Sequence, residues 1–265
     1  MSLGFVEIGD GKKKNIGLQF PVIVKPTDRS GSRGVTKVYE KDDLEKAIEK
    51  AIYYSFEKKA IVEEYIDGDE FSCECISYHG KHYFLTITKK YTTGEPNFIE
   101  TAHVEPANLN NEMEEKVKET VFKALDALKI ENGASHSEFR INKKNEVRII
   151  EIGARMGGDC IGSDLVAIST GYDYVKMVLD VALGNKPDFT KYREPKIAMI
   201  KFIFEQKDID NLEKIKRENP ECIHFIINID EINSREIVDS STRFGFYILA
   251  IDKKDWKEKW ENKII

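Results

Sequence analysis

Apolar positions in the first third of the chain fall into short runs separated by turn formers. Val22–Lys25 is an apolar run ending at Pro26, Thr27 to Gly34 is rich in turn residues, and Val35–Tyr39 is a second short run. Both runs read as strands, since neither reaches helical length and Pro and Gly bound them. Asp42 and Asp43 open a segment in which Leu44, Ile48, Ile52 and Phe56 recur about once per turn, which predicts a helix with one apolar stripe. Ala60–Glu64 returns to strand, and Asp67-Gly68-Asp69 is a turn. Phe71 to Thr88 then reads as two antiparallel strands joined through His79-Gly80.

Residues 91–110 show no period and contain the breaker Thr93-Gly94-Glu95-Pro96, so they are expected to be irregular. Asn111 is the expected cap of a helix with the stripe Val117, Val121, Leu125 and Leu128, closing near Gly133. His136–Asn142 and Val147–Ile152 form a predicted hairpin around Lys143–Glu146, followed by a second glycine-rich segment, Gly153–Gly158. A helix broken at Gly171 runs on to Leu183 and stops at Gly184-Asn185. The polar stretch 185–195, with two prolines, is the expected boundary. Beyond it Ile197–Phe204, Ile223–Ile229 and Phe246–Ile251 look like strands of a small α+β appendage. The division is therefore 1–20 as a leader or partial upstream segment, 21–185 as the main region and 186–265 as a C-terminal subdomain. No internal repeat is visible.

Composition narrows this picture. The 265 residues are 41% hydrophobic and 33% charged, the profile of a globular protein with a buried core. A net charge of −6 argues against a nucleic-acid partner, which would call for a basic face. The run Lys12–Lys14 and the tail Lys253–Lys263 read as solvated surface. Cys73, Cys75, Cys160 and Cys222 form no CxxC pair; Cys73 and Cys75 lie two apart in a strand and share a face. Reduced thiols in a cytoplasmic protein are the expectation. No signal peptide or long apolar run points to secretion or a membrane, and Met1-Ser2-Leu3 resembles an expression leader.

Three features carry candidate chemistry. Lys25 ends a strand that leads into Ser30-Gly31-Ser32-Arg33-Gly34, a loop whose backbone N–H groups and hydroxyls could cradle phosphate. It is not a Walker A loop, because the Gly-Lys-Ser/Thr ending is absent and a strand follows. Glu63-Glu64-Tyr65-Ile66, with Gly68 and Glu70, leaves a strand as extended backbone suited to an adenine edge, with a carboxylate placed for ribose hydroxyls. Glu138, between Ser137 and Phe139, and Glu151, between Ile150 and Ile152, sit on opposite arms of the predicted hairpin, and carboxylates alternating with large apolar residues are expected to face away from the core. Paired carboxylates with phosphate oxygens suit Mg²⁺. Each feature alone has a plain alternative: a turn, an acidic surface loop, or solvated strand charges.

Their order along the chain resembles the ATP-grasp superfamily. The matching text is Pro21-Val22-Ile23-Val24-Lys25-Pro26, Gly31-Ser32-Arg33-Gly34-Val35, Val62-Glu63-Glu64-Tyr65-Ile66 with Gly68 and Glu70, and Glu151-Ile152-Gly153-Ala154-Arg155-Met156-Gly157-Gly158-Asp159. It covers about residues 20–185, with weaker similarity at Ser240–Gly245. The resemblance implies an α+β ATP-grasp fold, two α+β subdomains clamping the nucleotide, here with a small C-terminal α+β appendage. It implies that Lys25 contacts the phosphates and that Ser30, Gly31, Ser32, Arg33, Gly34 and Val35 fold over them. Glu63, Glu64, Tyr65 and Ile66 would hold adenine and Glu70 the ribose, while Glu138 and Glu151 bind Mg²⁺ or Mn²⁺. Arg155 would hold a substrate carboxylate or acyl phosphate, and His136 would donate to the transferring phosphate; His103 is a further candidate beside the acceptor. Lys25, Arg155 and His136 are thus the candidate catalytic groups.

The branch that looks similar joins carboxylates to amines: ATP activates the carboxylate as an acyl phosphate, which the amine attacks. The expected partners are small-molecule carboxylate and amine substrates, and a homo-oligomer is left open. Alternatives are a bicarbonate-activating enzyme like carbamoyl-phosphate synthase or biotin carboxylase, and a truncated nucleotide-binding module without turnover. Two departures stand out. Gly153 replaces the Asn that many relatives place two residues after the second metal glutamate. The N-terminal Rossmann-like domain of full-length relatives has too few residues before Val22, so the chain is expected to be the C-terminal catalytic part of a longer protein.

Overall fold

Antiparallel pairing builds two sheets in a computed structural model that describes residues 4–9, 17–256 and 260. The runs Lys12–Lys14 and Met1–Leu3, and parts of the basic tail, lie outside the described residues. By compactness the chain divides into two units: Met1–Asp67 with Thr92–Glu100 and Asn233–Arg243, and Gly68–Tyr91 with Thr101–Ile232 and Phe244–Ile265.

The first unit contains a four-stranded sheet in the order β1-β4-β2-β3, from β1 (Phe5–Gly9), β2 (Val22–Pro26), β3 (Thr36–Val38) and β4 (Lys59–Glu64). Helix α1 (Leu44–Tyr54) covers one face. Val22, Val24, Val38, Ala60 and Val62 meet Ala47 and Ala51 there, with Leu44, Ile48 and Ile52 packed around them. The stripe stops sooner than its period suggests: Ser55 is extended, and Phe56 is 76% exposed beneath the Arg29 guanidinium. β1, inside the stretch read as a leader, pairs with β4 at the sheet edge.

The second sheet has eight strands in the order β11-β12-β10-β7-β6-β5-β8-β9. These are β5 (Asp69–Tyr78), β6 (Lys81–Thr92), β7 (Glu100–Glu105), β8 (Gly133–Ile141), β9 (Val147–Gly153), β10 (Ile197–Ile203), β11 (Ile223–Ile226) and β12 (Gly245–Ile251). Residues 91–110 are therefore not irregular throughout. β7 lacked a readable pattern because both faces are buried and carry polar groups, with Ala102, His103, Val104 and Glu105 all at most 5% exposed. The strands expected in a separate appendage pair into this same sheet, β10 against both β7 and β12. The stretch 185–195 falls inside the second unit.

Helix α2 (Asn111–Ala127) lies on one face of this sheet. Its cap is Asn110, one residue earlier than expected, whose side chain accepts from the Met113 N–H at 2.8 Å. Val117, Val121 and Leu125 pack on Phe71, Cys73, Cys75, Ile87 and Phe139, each such side chain contributing about 1.5–3 kcal/mol if fully buried. Leu128, at the helix end, is exposed instead. Cys73 and Cys75 share this face as expected, with Sγ atoms 3.7 Å apart. α3 (Val166–Thr170) and α4 (Tyr174–Ala182) pack with Ile76, Leu85, Ala134, Ala198, Ile200 and Ile248. Gly171 breaks them apart at φ +82°, where a side chain would run into the Arg193 carbonyl. α5 (Gln206–Glu218) supplies the buried Leu212 and Ile215.

Candidate functional site

Strand alternation turns one set of side chains of β5, β6, β8 and β9 away from α2, and these positions are polar. Register places them in three cross-strand rows: Lys90–Glu70–Arg140, then Thr88–Ser72–Glu138–Glu151, then Thr86–Glu74–His136–Gly153. The next positions on this face, Ile76 and Ala134, are already in the apolar core with α3 and α4. One sheet face thus grades from apolar to ionic within four residues of β5.

The rows are knitted together. Arg140 donates to Glu70 at 2.8 Å, and Lys90 lies 3.5 Å from the other Glu70 oxygen. Lys90 also donates to Glu138 Oε1 at 2.7 Å, and His136 Nε2 reaches the same oxygen at 3.1 Å. On the other side of the ring, His136 Nδ1 bonds to Glu74 Oε1, whose second oxygen accepts the Gly157 N–H at 3.1 Å. Burial would raise the Glu138 pKa, but Lys90 and His136 hold it well below the usual carboxylate range. Burial would likewise lower His136, yet the flanking carboxylates raise it to about 9. Glu105 is fully buried, and burial pushes its carboxyl up to about 8 despite hydrogen bonds from Thr88 (2.6 Å) and Ser169 (3.0 Å).

The expected metal pair fits a hard cation. Glu138 and Glu151 stand directly opposite each other in the β8–β9 register. Both hydrogen bonds to Glu138 fall on Oε1, and among the described residues Oε2 is uncommitted and exposed Glu151 has no hydrogen-bond or ion-pair partner. Among the described residues no three His, Cys, Asp or Glu side chains gather around one point. A cation here would complete its shell with phosphate and water, as Mg²⁺ commonly does. Arg155 is exposed on the following loop and, among the described residues, bonds to the Met156 carbonyl alone, at 2.7 Å. His103 is buried and 3.6 Å from Asp159. Glu70, expected to face ribose, is held by Arg140 and Lys90.

In the first unit Lys25 Nζ is 2.8 Å from Glu63, a diagonal pair across β2 and β4. The loop 30–34 folds back through positive φ at Gly31, Ser32 and Gly34. Its side chains are engaged: the Ser32 hydroxyl donates to the Phe98 carbonyl at 3.1 Å, and Arg33 Nε lies 3.4 Å from Asp239. In the adenine segment, Glu64 and Tyr65 N–H groups already donate to the Gly4 and Pro21 carbonyls. Lys37, which the sequence reading passed over, sits 3.6 Å from the Tyr65 ring centroid and donates to Glu95 at 2.8 Å.

A family profile described as ATP-grasp domain matches residues 18–164, more than half of the chain. The chain belongs to the ATP-grasp family. The α+β fold of this family is seen again in the L-amino acid ligase from Bacillus licheniformis, which superposes with a TM-score of 0.76 at 24% identity over 97% of this chain and 64% of that one. The alanine–anticapsin ligase of Bacillus subtilis is 29% identical over 194 residues, 64% of this chain and 40% of the relative. A D-alanine–D-alanine ligase from Flavobacterium johnsoniae is 34% identical over 145 residues, 52% and 43% of the two chains. This ATP-grasp chain therefore spans about two fifths of the length of these curated relatives. No helix among its described residues is long and apolar enough to cross a membrane.

Lys90, Glu74 and Glu105 were missed from the sequence. The signal was there for two of them, since Glu70, Ser72 and Glu74 alternate with Phe71, Cys73 and Cys75, as Thr86, Thr88 and Lys90 alternate with Ile87 and Lys89.

Proposed function

We propose that this chain carries the ATP- and Mg²⁺-dependent chemistry of a carboxylate–amine ligase, activating a carboxylate of amino-acid or peptide type for attack by an amine. The observation that carries the reading is the facing pair Glu138 and Glu151, with uncommitted oxygens, beside Lys90 and His136 in an ATP-grasp chain. The names of the similar proteins, ligases of alanine and of L-amino acids, support the substrate class.

The chemical difficulty is that a carboxylate is a poor electrophile. Phosphoryl transfer to it asks the protein for position and charge neutralisation rather than covalent help. Glu138 and Glu151 would hold Mg²⁺ (or Mn²⁺), which supplies charge neutralisation at phosphate oxygens when bound. Lys25 and the backbone N–H groups of residues 30–35 would contact phosphate, since the Ser32 and Arg33 side chains are engaged elsewhere. The carbonyls of Glu63–Ile66 would take the adenine edge, because the N–H groups of Glu64 and Tyr65 are used. His136 is charged at neutral pH and bonded to Glu138, which suits it to stabilise developing negative charge rather than to accept a proton. Arg155, paired with no carboxylate among the described residues, would hold the substrate carboxylate or its phosphorylated form. A cytoplasmic setting is part of this reading, supported by four free cysteines.

The deciding test is ATP-dependent phosphate release with mixtures of amino acids, for the wild type and Glu151→Ala. Release that needs an amino-acid pair and falls at least tenfold in Glu151→Ala supports the reading. Release unchanged by Glu151→Ala sinks the metal assignment, and release with bicarbonate alone sinks the amine ligase.

A further inference from the structure

We propose that Glu74 is the positioning residue of the metal-binding strand: one carboxylate holds both the His136 ring and the Gly157 backbone, and so aims His136 at Glu138. The inference rests on the assignment of Glu138 and Glu151 as cation ligands.

Glu74 is fully buried in the middle of β5. Burying a carboxylate is costly unless both oxygens are used, and a strand interior has no need of one. Its neighbours on the same face, Ser72 and Ile76, are equally buried and uncharged, so the fold accommodates neutral residues there. Both oxygens of Glu74 are committed, Oε1 to His136 Nδ1 and Oε2 to the Gly157 N–H at 3.1 Å. The ring is thereby fixed with Nε2 towards Glu138 Oε1, the oxygen Lys90 also holds, and Oε2 stays uncommitted.

Position 157 provides a second, independent observation. A Cβ there would lie 2.8 Å from His136 Nδ1 and 2.8 Å from Ile161 Cγ2, so the loop meets the ring as closely as only glycine allows. Gly157 is two residues beyond Arg155. Glu74 therefore ties together the strand bearing Glu138 and the loop bearing Arg155, and it does so without touching either side chain. Groups of this kind, bonded to what the ligands are bonded to, commonly change metal affinity by about 10- to 100-fold when lost.

The test is Mn²⁺ binding to the 265-residue chain in the presence of ADP, followed by electron paramagnetic resonance of the free ion. Wild type, Glu74→Gln and Glu151→Ala are compared below their melting temperatures. Expected are a loss of about 10-fold or more in Glu151→Ala and a loss of about 10-fold in folded Glu74→Gln. Proton NMR of the wild type should show a downfield, exchange-protected His136 Nδ1–H resonance that is missing in Glu74→Gln. A folded Glu74→Gln with wild-type Mn²⁺ affinity, whatever its melting temperature, overturns the positioning role. So does a wild type lacking the protected resonance, which needs no variant to fold. Unchanged binding in Glu151→Ala instead refutes the metal assignment, and this inference falls with it.

Discussion

Glu105→Gln exchanges a fully buried carboxyl for a neutral amide of the same shape, leaving Thr88 and Ser169 a partner to bond. In the wild type, burial pushes this carboxyl up to about 8, from an ordinary value near 4.5. An acid raised in the folded state contributes stability that is fully present below its unfolded pKa and is lost as pH rises to the folded one. Across that window each pH unit costs at most about 1.4 kcal/mol. Between pH 6 and pH 8 the wild type should therefore lose about 2–3 kcal/mol through Glu105, whereas glutamine has nothing to ionise. His136 acts in the same direction: raised to about 9, its contribution is present below about 6.5 and lost as pH passes 9. Because both proteins contain His136, its share cancels in their difference. Urea unfolding of wild type and variant at pH 6, 7, 8 and 9 gives that difference directly. It should move in favour of the variant by about 2 kcal/mol or more and level off above pH 8. A difference constant within about 0.5 kcal/mol across the series would show that the buried carboxyl does not carry a raised pKa.

Three further outcomes follow from single sites. Lys25→Ala should weaken ATP binding about tenfold, the equivalent of one charge-assisted hydrogen bond, as read by calorimetry. Equal affinity would remove Lys25 from the phosphate contacts. Gly171→Ala forces a side chain into positive φ and against the Arg193 carbonyl, so thermal unfolding should report a loss of at least about 1–3 kcal/mol. Asn110→Ala removes the α2 cap and should cost about 1 kcal/mol in chemical denaturation while leaving nucleotide affinity unchanged.

Elements with one buried face were legible in the sequence, and elements with two were not. β2 and β4 pair near their expected positions as short apolar runs bounded by turn residues, and β8 and β9 as two runs around the turn Lys143–Glu146. β7 was hidden, since His103 and Glu105 occupy buried positions that an apolar pattern would fill. Phe56 continued the α1 period past the point where Ser55 leaves helical geometry, and a period alone carries no stop signal. The strands after position 196 were found, but their pairing was not: β10 lies beside β7, some ninety residues earlier, and such register is a long-range fact. At the candidate site, Glu138 and Glu151 could be named because each alternates with large apolar residues, Phe139 for the one and Ile150 and Ile152 for the other, on paired strands. Glu74 and Lys90 obey the same alternation, which marks them as lying on the polar face, but nothing local shows that they are buried there.

The charges of that sheet face also bear on where a cation would bind under the proposed function. With Glu105 protonated at neutral pH, Glu70, Glu74 and Glu138 pair among the described residues with Arg140, His136 and Lys90, three acidic side chains against three basic ones. Arg148, beyond Arg140 in the first row, is matched by Glu146 at 3.1 Å. The face is thus balanced internally, which is the condition under which so many charges tolerate burial. Glu151 stands outside this balance: it is exposed, without a hydrogen-bond or ion-pair partner among the described residues, and opposite Glu138 in the β8–β9 register. A divalent cation placed there draws on the one negative charge the network leaves over, and its remaining positive charge favours an anionic partner such as a phosphate. Raising the pH above 8 would ionise Glu105 and add a second unmatched charge to the same face. Cation affinity should therefore rise as pH passes 8 while the stability lost through Glu105 levels off, and only the wild type, not Glu105→Gln, should show that rise.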